Sequence, residues 1–238
     1  MVMTVVDGVR ARLEQPTEYR HAREEEAELG CHPGQTDDEH CGHHGKPDTV
    51  AGATHASLYG AQYIEAIAQR DQSILLPDGQ PKTFFQWIDF NHACAKLPPF
   101  TTVDVGLVYN KAIDSVRNWI ERGTPAAPSR SFTISTTSTP PGLPVRDADG
   151  KVEGGIRLPQ FVVPTADQGA LNGPAFPCNV SGWHRYYTKD ELKAMYGTHG
   201  RYVAKVLAVM YPLVTEGYVL RTDALAAVRD AALSDVAR

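Results

Sequence analysis

The chain has 238 residues, 42% of them hydrophobic and 8% aromatic, with 23 Lys and Arg against 28 Asp and Glu. It is too apolar for a disordered chain, and its 20 Gly and 17 Pro follow no triplet period, which excludes a collagen-like fibre. A net charge of −5 argues against a general nucleic-acid binder, and the apolar run Val206 to Val214 is too short to cross a bilayer.

The charge is unevenly spread. Residues 1–48 hold 5 basic and 11 acidic residues, whereas residues 49–238 hold 18 and 17. The N-terminal segment also contains His21, His32, His40, His43, His44, Cys31 and Cys41. Composition changes near Pro47, so an acidic, His/Cys-rich arm over 1–46 and one domain over 47–238 are expected. Asp7, Arg10 and Arg12 stand where a signal peptide needs an apolar core. No signal peptide or membrane segment is visible in this chain, so a cytoplasmic location is the default and the four cysteines are expected as reduced thiols.

In chain order, Thr17 to Leu29 reads as a short polar helix stopped by Gly30, and Cys31 to Lys46 as a Gly-punctuated loop. Thr49 to Thr54 reads as a short strand of small residues, with His55 directly after it. Ser57 to Arg70 has helical spacing, and Leu76 to Lys82 is a turn around Pro-Asp-Gly. Val103 to Arg122 is the strongest helix, with an apolar stripe through Val108, Ala112, Val116 and Trp119 or Ile120 and Gly123 as its stop. Phe132 and Ile134 alternate as in a strand, Asp147 to Gly150 is a turn, and Ile156 to Val163 reads as a strand interrupted at Pro159. Thr188-Lys-Asp-Glu191 has capping-box spacing, and helices follow at about 201–216 and 223–237.

Three features bear on chemistry. The arm is dense in ligand types for zinc, but it has no C-x2-C pair and no H-E-x-x-H, so it fits no standard metal template. His55 lies at a strand-to-loop junction, a rigid place for a general base, with Gly52 and Ala53 allowing close backbone approach. A nucleophile elbow is missing, because G-x-S-x-G does not occur; Ser57 lies two residues past His55 without flanking glycines. Gly154-Gly155 could bring backbone near a ligand or could simply turn the chain, and it is not a phosphate loop.

Several segments then line up in order. Pro47-Asp-Thr-Val-Ala-Gly-Ala-Thr-His55-Ala comes first, followed by Cys94 with Pro98-Pro99 and by Asn118-Trp119-Ile-Glu-Arg-Gly123-Thr-Pro125. Next come Val145-Arg-Asp-Ala-Asp-Gly150, Gly154-Gly-Ile-Arg-Leu-Pro159 and Val163-Pro164. Leu192 to Tyr196, Arg201-Tyr202, Gly217-Tyr-Val-Leu and Asp223-Ala close the series. In this order, over about residues 47 to 233, the chain resembles the C-terminal part of a bacterial family of large α/β-hydrolase-domain proteins.

The resemblance implies the α/β class: a partial α/β-hydrolase-like fold with a largely helical C-terminal portion. It implies a carboxylic ester or lactone hydrolase whose Ser, acid and His come in that chain order. Val50 to His55 matches the family's V-A-G-x-x-H segment, so His55 would be the base. The acid would lie upstream, in Asp37, Asp38 or Glu39, with Asp38 taken for the role. The nucleophile half would precede this sequence, so the chain is expected to be truncated or frame-shifted, unless Ser57 serves as nucleophile. No cofactor is expected on this reading. On a second reading His40, His43 and His44 with Asp37 or Asp38, joined by His55, hold zinc or another divalent metal that activates water. A third is a non-catalytic remnant domain. The expected partner is a small-molecule ester or lactone, with no nucleic acid and no membrane. Exposed sheet edges would favour self-association.

Overall fold

The computed structural model describes residues 48–75, 79–80, 83–89, 94–137, 142–176 and 178–238. The arm, with the helix expected at Thr17 to Leu29 and the loop after it, lies outside the described residues, as does most of the turn at 76–82. The described residues hold seven α-helices and one two-stranded sheet. That is a partial α/β arrangement with helix dominant.

Helix α1 (Leu58–Asp71) starts one residue after Ser57, whose side chain accepts a hydrogen bond from the Gly60 N–H. It packs against α2 (Phe84–Asp89), where Ala61, Ile88 and Phe100 are buried together. The Phe100 ring is stacked against Phe84 at 5.9 Å and meets Phe85 edge-on at 5.7 Å. Helix α3 (Gly106–Arg122) ends where expected: Gly123 adopts φ 65° and returns its N–H to Trp119 O at 2.9 Å. Its expected apolar stripe is mostly unburied. Val108 enters the core, whereas Val116, Trp119 and Ile120 stay exposed.

Two expected strands are corrected. Thr49 to Thr54 contributes a single parallel bridge, Val50 to Ile156, because Gly52 at φ 75° turns the chain before a ladder can extend. Ile156 to Val163 is not a strand either; Pro159 opens the short helix α4 (Pro159–Val162), a position where its missing N–H costs nothing. Phe132 and Ile134 make isolated bridges to Gly154 and Pro144. The sheet is instead an antiparallel pair of β1 (Ala166–Gly169) and β2 (Trp183–Tyr186), in register Ala166 to Tyr186 and Gly169 to Trp183.

The C-terminal helices are the most regular part. Thr188 caps α5 (Lys189–Tyr196) with both bonds of a capping box to Glu191. In α6 (His199–Thr215) Tyr202, Val206, Met210 and Leu213 recur at helical spacing and form its buried side. They bridge two core clusters, one with Val103, Ile156 and Leu158, the other with Leu192, Tyr196 and Ala231 of α7 (Arg221–Leu233). No helix among the described residues is long and apolar enough to cross a membrane.

The thiol expectation is also corrected. Cys94 and Cys178 form a disulfide with Cα atoms 5.1 Å apart, within the reach of the bond. Cys31 and Cys41 lie outside the described residues.

Candidate active site

His55 occupies a turn that is fastened on both sides. Before it, the Ala51 N–H donates to Ile156 O at 2.9 Å, beside the Val50 bridge. After it, the Ala56 N–H donates to Val180 O at 3.3 Å and the Leu58 N–H to Thr101 O at 2.9 Å. Across it, the buried Thr54 hydroxyl donates to Ala56 O at 2.8 Å. The Thr54 and Thr101 hydroxyl oxygens are 3.2 Å apart. The imidazole itself is exposed and makes no hydrogen bond among the described residues. The turn thus presents an exposed ring that no group among the described residues orients by a hydrogen bond.

Ser57 is 5% exposed, and its oxygen is engaged in capping α1 at 3.3 Å from the Gly60 nitrogen. His55 and Ser57 are not hydrogen-bonded to each other. Asp37, Asp38, His40, His43 and His44 lie outside the described residues. Among the described residues no group of three or more His, Cys, Asp and Glu is placed to hold a metal ion.

The surroundings of the turn carry more polar structure than the sequence disclosed. Asn172, 2% exposed, accepts from the Lys96 N–H at 2.7 Å and donates to Lys96 O at 3.0 Å and Gly182 O at 2.7 Å. This binds the segment after Cys94 to the turn after Cys178. Phe100 within that segment holds φ 75°. The buried His184 reaches Phe100 O with Nδ1 at 2.7 Å; a carbonyl only accepts, so Nδ1 carries the proton of this contact. His184 sits in Trp-His-Arg-Tyr with no motif around it, so nothing in the sequence could single it out.

Two ionisable groups stand near the start of α1 and α3. Burial raises the Asp104 carboxyl above its usual value; the Gly106 N–H draws it back and the Asp223 charge adds to the rise. Burial, then the Asp104 charge, raises the Tyr59 phenol. Neither group bonds His55.

Chemically, the arrangement can take a proton from a hydroxyl delivered to the exposed imidazole and return it to a leaving group. No curated protein and no solved structure matches the chain. A family model described as alpha/beta hydrolase domain matches residues 24–229, starting within the acidic arm. That match covers most of the chain, which therefore belongs to an alpha/beta hydrolase domain family and stands, in general terms, with the hydrolases.

Proposed function

We propose that the chain is a hydrolase of carboxylic esters or lactones that works through a Ser-His-acid mechanism with His55 as the base. The observation that carries this reading is the exposed imidazole of His55, without a hydrogen-bond partner among the described residues, on a turn fastened from both sides. Its place in an alpha/beta hydrolase family supports the same reaction class. His55 takes the proton of a serine hydroxyl as its oxygen attacks the acyl carbon. The imidazolium then gives that proton to the departing alkoxide. Water, deprotonated by the same ring, cleaves the acyl-enzyme and restores the serine.

Of the remaining roles, the Ser57 assignment has the least support. To attack an acyl carbon, Ser57 would have to leave the α1 cap, a loss worth about 1 kcal/mol. The test is turnover of p-nitrophenyl acyl esters and a lactone series, combined with fluorophosphonate labelling and mapping of the labelled serine. His55→Ala should lower kcat by about 10²- to 10⁴-fold with the fold intact. Full activity in His55→Ala, or no turnover of any acyl substrate by the folded wild type, would end this reading.

A further inference from the structure

The two threonines around the His55 turn are more specifically arranged than packing alone requires. Thr54 is 3% exposed and Thr101 fully buried, so neither hydroxyl can exchange its partner for water. Thr54 has a single hydroxyl proton, and that proton is committed to Ala56 O at 2.8 Å. The 3.2 Å contact between the two oxygens is therefore made by Thr101 donating to Thr54. The result is a directed relay, from Thr101 to Thr54 to Ala56 O, which spans His55 and closes its turn.

The methyl groups are placed as deliberately as the hydroxyls. A Cβ on Gly182 would lie 2.8 Å from Thr54 Cγ2 and 2.7 Å from Thr101 Cγ2, so both methyls converge on that glycine. The relay is tied in turn to the disulfide. Cys94 anchors the segment that carries Thr101, and Cys178 anchors the 3₁₀ turn Cys178–Val180, whose Val180 O receives the Ala56 N–H.

We propose that Thr54 and Thr101 are positioning residues, which act through the 54–56 turn to fix the backbone from which the His55 side chain projects. The proposal rests on the base role given to His55 above, but its test does not depend on catalysis.

The experiment uses the full chain with isotopically labelled histidine, the His55 ring signal being the one absent from His55→Ala. Thr54→Val keeps the side-chain shape and removes both bonds; Thr101→Val removes only the outer one. Wild type should give one narrow His55 signal. Thr54→Val should broaden, split or shift it, Thr101→Val should do so less, and Thr54→Ser should restore it. With an acyl ester, kcat should fall about tenfold to a hundredfold in Thr54→Val at nearly constant KM, and recover in Thr54→Ser. If Thr54→Val does not fold, the Thr101→Val and Thr101→Ser pair decides by the same signal. A folded Thr54→Val with an unchanged His55 signal overturns the positioning role. Unchanged activity in His55→Ala overturns the base role, and leaves the ring signal to decide the positioning role by itself.

Discussion

Removing the Cys94–Cys178 cross-link, by Cys94→Ala together with Cys178→Ala, should destabilise the domain through its unfolded state. The bond joins positions 84 residues apart, and closing a loop of that length removes about 4.5 kcal/mol of chain entropy from the unfolded ensemble. The native segment has other ties: Asn172 holds Lys96 through its backbone N–H and C=O, and the Ala95 N–H donates to Asn172 O at 3.1 Å. The folded state should therefore keep its shape when the sulfurs go, and the loss should approach the entropic figure. At a urea slope of about 2 kcal/mol/M, the midpoint falls by about 2 M. Urea titration followed by tryptophan fluorescence and by far-ultraviolet circular dichroism measures this. A midpoint that moves by less than about 0.3 M would refute the reasoning, because it would mean that the unfolded chain gains no freedom from losing the bond.

Two further outcomes follow from the geometry. Gly182→Ala would set a Cβ 2.5 Å from Gly169 O, a backbone atom, at a residue with φ 66°. It should cost at least about 2 kcal/mol and lower Tm by about 5 °C or more; an unchanged melting curve would show that the turn relaxes freely. Glu191 is held down to about 2 from the usual 4.5, first by the Arg185 guanidinium and then by the Thr188 N–H. A carboxyl lowered in the folded state stabilises it above the unfolded value and loses that contribution as pH falls through the folded one. The urea midpoint of the wild type should therefore drop between pH 4.5 and about 2 by more than that of Glu191→Gln. Equal slopes in the two proteins would show that the pair contributes nothing to acid stability.

Local chemistry made part of this fold readable in advance. Thr188 with Glu191 and the stop at Gly123 are signals completed within a few residues, and α5 begins and α3 ends where those residues place them. The presence of α6 is legible for the same reason, but its buried side is not, since Leu207 and Tyr211 share the spacing of Val206 and Met210 and stay exposed. What failed depended on distant partners. The β1 and β2 segments, Ala-Asp-Gln-Gly and Trp-His-Arg-Tyr, are four residues each and carry no apolar alternation, so only their mutual pairing makes them strands. Pro159 interrupts an apolar run in a strand-like context, yet at N1 it begins a helix. The bond between Cys94 and Cys178 leaves no trace in spacing.

The turn that holds His55 was not legible in the sequence. Thr54 and Thr101 are separated by 47 residues and become partners only when the segment after Cys94 folds back. Ser57 is a local signal of another kind. It opens a helical stretch, and a serine there is first of all an N-cap, which is how the structure uses it.

Gly154 and Gly155 show what a recognisable motif can stand for. A Cβ on Gly154 would lie 2.7 Å from Ser131 O, and one on Gly155 would lie 2.7 Å from both Thr49 O and the Phe132 ring. Both glycines make room for the protein's own chain. The Gly-Gly-Ile-Arg-Leu-Pro stretch is therefore a docking address for the segment that carries Val50. A second sequence bearing it can be expected to share that seam, and would still have to be asked separately whether it catalyses anything.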